Sequence, residues 1–523
     1  MDANGVVEKL ISAIGADYVL TDDADREFYA MDVYSFREMP VAVVQPGSTA
    51  DLQAIVKIAA ENKLAVVPRG GGASYTDAYL ADRADSLLVD TSRMNRVVEI
   101  NDEDMYVTVE PGITWAELDA ALGEKGLRTP FWGPFSGLKA TVGGSASQNA
   151  VSLGSGTYGI SADSILSMDV VLANGEVLRT GSHATENTTP FFRWWGPDLT
   201  GLFCGDAGVL GVKARISLRL IKRPTHRLCA SFGFDTFNQL ASGMAAGARE
   251  GVAADNFGLD PKLQQGQLGS TDASAMKQAA IAVFKASRNW FDGLWQLMKM
   301  GLAGKSFLEG HNYSAHFSVE GYSQAEAATK LALLRKAVGQ HGTEIAATMP
   351  TVLMAMPFIP LYPILGPQGQ RWVPMHGILP FSKLHAFNAK LDELYADYAA
   401  RMEVAKVEKA AMYTSISTHG FLFEPVFYWQ DDRTAYHKRY LPQEYLDVLP
   451  EYEANPEGRA LVKEMKEKIQ DVFTEFGAVH MQIGKAYPYM RGREAQGASL
   501  ILQVKAQLDP DNMMNPGALL VKE

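Results

Sequence analysis

Residues 66–75, VVPRGGGASY, run from an apolar segment into three consecutive glycines, two small residues and a tyrosine. Glycines at 70, 71 and 72 permit positive φ and let backbone N–H groups come close to a ligand. Successive N–H groups make a concavity suited to phosphate oxygens. Glycine triplets also occur in plain turns, so the reading needs more than this loop. Residues 141–159, TVGGSASQNAVSLGSGTYG, set Gly143, Gly144, Gly154, Gly156 and Gly159 among small polar residues. That is too little bulk for a core and suits backbone wrapped around a large polar ligand. Residues 201–212, GLFCGDAGVLGV, add a third loop of the same kind. Three close-approach loops imply an extended ligand, larger than one phosphate group. The pattern GxxxxGK[ST] is absent from the first loop, as is a GxGxxG opening a helix, which removes most support for a nucleoside triphosphatase or a nicotinamide-binding fold.

The elements that must carry these loops are short. VAVVQPGS reads as a strand, residues 49–63 as a helix with Thr49 as N-cap, and LAVVPRGGG as a strand entering a tight turn. ILSMDVVLANGEVLRTG reads as two strands around Asn174-Gly175, a hairpin signal. GVLGVKARISLRLIKRP closes the region with an alternating strand stopped by Pro224. This pattern is α+β, not a regular βαβ series. Beyond Pro224, helical stretches at 271–304, 323–340 and 381–409 alternate with strand-like runs such as HNYSAHFSVEGYS and MYTSISTHGFLFEPVFYW. The tail reads as a helix closed by Asp509-Pro510, then a turn at residues 515–517.

At 523 residues the chain exceeds what one core usually supports, so two domains are expected. The formal charge of −12, from 48 basic and 60 acidic residues, disfavours a nucleic-acid partner, which demands a basic face. Cys204 and Cys229 lack metal-ligand spacing and suit a reducing compartment. No signal peptide and no apolar run of membrane-spanning length is read, so a cytoplasmic location is expected. The Trp- and Met-rich residues 289–304 are read as core or interface packing.

VVPRGGGAS, VEPGITWAEL, TVGGSASQNAVSLGSGTYG, VVLANGEVLRTG, GPDLTGLFCGDAGVLGVKARISLRL and QLDPDNMMNPG occur in that order. In this the chain resembles flavoproteins of the vanillyl-alcohol oxidase/para-cresol methylhydroxylase (PCMH) type. The resemblance implies a two-domain α+β chain and FAD as cofactor. Residues 1–224 and the returning segment 481–523 would form a PCMH-type FAD-binding domain, with an α+β cap at 225–480. It implies that Pro68, Arg69, Gly70, Gly71, Gly72, Ala73 and Ser74 cradle the pyrophosphate. Gly143, Gly144, Ser147, Asn149, Tyr158 and Gly159 would line the dinucleotide, Gly211 and Val212 would face the ribityl or flavin ring, and Asn515 would join them from the tail.

In the phenol-oxidising branch a tyrosine follows the pyrophosphate loop and holds the substrate as phenolate, and Tyr75 falls at that position. Phenolate formation would favour hydride departure to flavin N5, leaving a quinone methide for water to attack. The branch also carries a Tyr-Arg pair, whose place is taken by His480 and Met481. A histidine, with a reference pKa of about 6.5, can bind a phenolate or act as base. Methionine cannot replace the guanidinium charge, and Lys485, Tyr487, Tyr489 or Arg491 are the candidates for the missing interaction. HMQIGK also resembles flavin-dependent 2-hydroxy-acid dehydrogenases, whose two-histidine metal motif is not found: His376 and His385 are nine apart, and no metal site is expected. His376 lies one residue out of register with a flavin-linking histidine, Met375 taking the matching slot, and is the candidate for a covalent link. The expected partners are a small aromatic substrate, oxygen or a cytochrome or quinone as acceptor, and further copies of the chain.

Overall fold

The computed structural model describes residues 3–264 and 311–520. The expected helix at 271–304, with its Trp- and Met-rich stretch, lies outside them. The chain divides into two compact units: residues 1–150, 160–223 and 481–523 form one, residues 151–159 and 224–480 the other.

Besides a two-stranded ladder of Leu127–Arg128 with Ile221–Lys222, the described residues of the first unit form two larger sheets. In one, strands Ala42–Val44 and Ala65–Arg69 flank Ser86–Asp90 in parallel, and Val19–Leu20 adds an antiparallel edge. Their residues are apolar on both faces, as a parallel sheet buried on both sides requires. Helix Thr49–Glu61 packs Leu52, Ile55, Val56 and Ala59 into this core. Its N-cap is Ser48, not Thr49: the Ser48 hydroxyl accepts the Asp51 N–H at 3.1 Å. Both residues are good caps, and the extended backbone at 48 decides between them.

The second sheet of this unit is antiparallel, in the order Val97–Asn101, Tyr106–Val109, Val212–Arg219, Ile165–Val171, Val177–Arg179. The hairpin at Asn174-Gly175 forms as read, with Gly175 at φ 76°. The tail is threaded into the first sheet, where Val66 N–H donates to Met513 O and Asn515 N–H to Val66 O.

In the second unit the antiparallel sheet runs Thr343–Ile345, His226–Phe234, Tyr313–Gly321, Ala253–Leu259, Val407–Ile416, Gly420–Trp429, Arg371–Pro374. Gly377–Leu379 also pairs with Gly420–Trp429. Helices Phe237–Arg249, Leu384–Val404 and Pro456–Glu475 cover one face, through Phe237 against Tyr413 and Phe423, and Phe387 against Phe423 and Phe473. The helix expected to reach residue 409 ends at Val404, because Lys406 turns at φ 55° and a strand starts at Val407.

Candidate active site

Within the first unit, strand Ala65–Arg69 delivers the glycine loop. Only Gly72 of the triplet has positive φ, at 67°. Gly70 and Gly71 are glycine for a different reason from the one the sequence suggested. A Cβ on Gly71 would lie 1.7 Å from Lys139 O, and one on Gly70 2.4 Å from Thr141 Oγ1. Backbone from a second loop crosses at van der Waals contact, so the protein itself excludes side chains here. Gly143 is likewise pressed onto Pro111, 2.6 Å from its would-be Cβ. Thr141 then caps helix Val142–Gln148 by accepting the Gly144 N–H.

The hydroxyl that closes the glycine loop belongs to Tyr79, which donates to Gly72 O at 2.7 Å and Ser74 O at 3.0 Å. Tyr75, buried in the same loop, is relieved of that capping task. Arg69 is buried with its guanidinium over the rings of Phe28, Tyr29 and Tyr79, 4.6–5.2 Å from their centroids. Its charge is held against three aromatic faces, in keeping with a pyrophosphate cradle made of backbone N–H groups instead of cationic side chains.

The returning segment clamps these loops. Lys485 N–H donates to Thr76 O, and its ammonium donates to Leu80 O and to Asn515 Oδ1. Burial lowers the Lys485 pKa to about 8, against the opposing pull of Asp82. Asn515, fully buried, donates its amide to Ala78 O at 2.7 Å and Ala207 O at 2.6 Å. Its polar contacts therefore tie loops together. Tyr487 is buried on the same segment, while Arg491 is exposed. The structure thus brings Tyr75, Lys485 and Tyr487 into one unit and leaves Arg491 at its surface.

A cofactor-sized ligand leaves its own mark. Gln148 Oε1, Asn149 Oδ1 and Asp206 Oδ2 are buried acceptors without a hydrogen-bond partner. They sit around one junction, where Gly205 N–H donates to Ala146 O and Ala207 N–H to Ser147 O. Asn149 holds the left-handed φ of 54°, and Gly205 is glycine because a Cβ would meet the Asn149 amide at 2.3 Å. Unsatisfied buried acceptors are costly. Asp206 already takes the Lys213 ammonium and the Gly208 N–H on Oδ1; flavin imide, ribityl or ribose donors would satisfy the three remaining acceptors, so the junction fits FAD. Gly211, at φ 153°, presses on Val170 and opens the strand that Val212 begins. Tyr158 and Gly159, expected beside Gly143, belong to the second unit, where Gly156 abuts Ala253 O and Gly154 N–H donates to Asp255.

The second unit holds the histidines. His480 Nδ1–H donates to His376 O at 2.7 Å, beside the paired backbone of Val479 and Ile378. That bond fixes the tautomer and leaves Nε2 as the basic nitrogen. Burial keeps the His480 pKa below its ordinary value, so the ring is neutral at pH 7. His376 is fully enclosed and burial lowers its pKa to about 3. An imidazole with no accessible surface is poorly placed to bond a flavin. Precipitation of the protein in acid is expected to leave the yellow colour in the supernatant; colour retained on the polypeptide would establish the covalent link instead.

Sequence reasoning missed Glu424. Pro374 pairs with Val426 and Gly377 with Phe423, so the same register puts His376 opposite Glu424. The carboxyl is buried, and burial raises its pKa from 4.5 to about 7. By strand alternation it lies on the face away from the covering helices, with Met412, Val426 and Tyr428. The signal was there: one carboxylate in ten otherwise uncharged residues, GFLFEPVFYW. Among the described residues no group of three or more His, Cys, Asp or Glu is arranged to hold a metal.

A family described as FAD binding domain matches residues 40–181. The cofactor is FAD. Mitochondrial D-lactate dehydrogenase [cytochrome] of Arabidopsis thaliana is 33% identical over 286 residues, 54% of this chain and 49% of that one. Glycolate oxidase subunit GlcD of Bacillus subtilis is 31% identical over 43% of this chain and 46% of its own. The chain thus spans about half the length of these FAD-domain relatives. A solved p-cresol methylhydroxylase superposes with a TM-score of 0.72 at 17% identity, covering 99% of this chain and 97% of that one. The fold is that of the PCMH-type FAD-binding flavoproteins. No helix among the described residues is long and apolar enough to cross a membrane.

Proposed function

We propose that this chain is an FAD-dependent oxidoreductase acting on an aromatic alcohol or para-substituted phenol, with His480 as the group that takes the substrate proton. The observation that carries this is the His480 Nδ1–H bond to His376 O, which presents Nε2 as a neutral base of fixed orientation. Bound FAD supplies the hydride acceptor. The chain's share is to accept the hydroxyl proton at Nε2, to orient the substrate and to keep water out. Tyr75 is the proposed phenolate partner. The sheet face carrying Glu424 supports a neutral, ring-bearing substrate: it offers Tyr428, Trp372, Met412 and a carboxyl that is protonated below about pH 7. Among the described residues the buried arginines of this unit are committed elsewhere, Arg371 toward Asp431 and Arg433 to the carbonyls of Leu446, Leu449 and Pro450.

A second reading, oxidation of a 2-hydroxy acid, draws on the D-lactate and glycolate enzymes among the relatives. Anaerobic mixing decides. Flavin bleaching by vanillyl alcohol or a 4-alkylphenol, with D-lactate and glycolate inert, supports the first; the reverse pattern overturns it.

Glu424 has a stability signature of its own. The folded state holds a proton that the unfolded chain loses between pH 4.5 and about 7, so this group's contribution falls as pH rises through that window. Glu424→Gln, neutral throughout, should exceed the wild type in stability by on the order of 3 kcal/mol at pH 8, the gap closing toward pH 4.5. Melting curves from pH 4 to 9 would show it; a pH-independent gap would contradict the buried-carboxyl account.

A further inference from the structure

Residues 190–199 of the first unit, PFFRWWGPDL, expose five large apolar side chains: Phe191 at 52%, Phe192 at 44%, Trp194 at 61%, Trp195 at 69% and Leu199 at 45%. With roughly 150–250 Å² available per aromatic side chain, this ledge presents on the order of 600 Å² of apolar surface. That is at the upper limit of what monomeric proteins usually leave to water.

The ledge is braced, not loose. Arg193 donates to both oxygens of Asp198 at 2.8–3.1 Å and to Ala162 O. Ser182 N–H donates to Phe192 O, while the Ser182 hydroxyl accepts the Phe192 N–H and donates to Thr189 O. The rings stand in a fixed ladder, Phe191 to Phe192 at 6.1 Å and Phe192 edge-on to Trp194 at 5.8 Å. Little conformational entropy remains to be lost on docking, which is the usual cost of burying such side chains.

We propose that this ledge is the centre of an isologous interface between two copies of the chain. A standard interface needs about 800 Å² from each partner, and the ledge alone supplies most of it. The aromatic core with an Arg–Asp pair at its edge has the composition of a hot-spot cluster. Its one cation is neutralised locally by Asp198, so two copies meet here without charge repulsion although each carries −12 overall. The same neutrality disfavours a lipid surface, which is drawn to unpaired Lys and Arg around the aromatic residues.

The FAD-loaded 523-residue chain tests this by light scattering coupled to gel filtration and by sedimentation. The wild type should run as a dimer or a multiple of one, and Trp194→Glu/Trp195→Glu as a monomer with unchanged FAD content and melting temperature. Acrylamide quenching supplies a second readout that needs no variant, with tryptophan fluorescence becoming more accessible as the wild type is diluted through its dissociation range. A wild type that stays monomeric at 100 μM overturns the proposal. So does a well-folded double variant that keeps the wild-type mass, or a wild-type monomer that sediments with neutral or anionic vesicles.

Discussion

His480→Asn is expected to slow flavin reduction by about 10²–10⁴-fold at saturating substrate, the range general-base catalysis commonly contributes. Asparagine is the informative replacement. Its amide N–H lies near the position of Nδ1 and can keep the bond to His376 O, so the backbone pairing of Val479 with Ile378 is preserved. What disappears is the lone pair on Nε2. The pH profile separates a base from a packing residue. Burial depresses the His480 pKa, so the wild-type rate should hold from pH 8 down past 6.5 and fall only below it, as the ring protonates. In the variant that acid limb should vanish. Stopped-flow reduction with whichever substrate bleaches the wild-type flavin provides the measurement. A loss under fivefold, or an acid limb that persists unchanged, would remove His480 from the mechanism.

The elements of the first unit were legible because their signals are local. Alternation and the Asn174-Gly175 turn mark the hairpin, and Ser48 and Thr49 differ by one residue as caps. The α+β class followed from the same local texture. The glycine loops were visible too, but not the reason for them: Gly71 is pinned by Lys139, 68 positions away, and no local pattern reports that crossing. Tyr75 and Tyr79 are four apart in one loop, and only the path of the turn assigns the loop-closing hydroxyl to Tyr79. The aromatic cage around Arg69 was not legible, because its partners Phe28 and Tyr29 lie about 40 residues upstream. Glu424 was passed over since a charged residue reads as surface, and its burial depends on the sheet register that sets it across from His376.

Gly71→Ala should be the most damaging single-methyl change in the first unit, costing more than about 3 kcal/mol of stability. A Cβ 1.7 Å from Lys139 O cannot be accommodated by a rotamer change, because the obstacle is backbone and its movement would drag Thr141 and the helix it caps. Gly70→Ala meets a side-chain hydroxyl at 2.4 Å. Thr141 can turn away, at the loss of its cap, so about 1–2 kcal/mol is expected. Gly126→Ala provides the baseline: nothing lies within 4 Å of its would-be Cβ, and only the φ of 68° penalises alanine, by about 1 kcal/mol. Denaturant unfolding of the three apoproteins should give the order Gly71, Gly70, Gly126. Apoprotein is the deciding sample. If the triplet were glycine solely to admit the cofactor, Gly71→Ala would leave the apoprotein as stable as the wild type and lower only its FAD content, read from the ratio of flavin to protein absorbance. If the crossing loop is the cause, stability falls first and the cofactor is lost as a consequence.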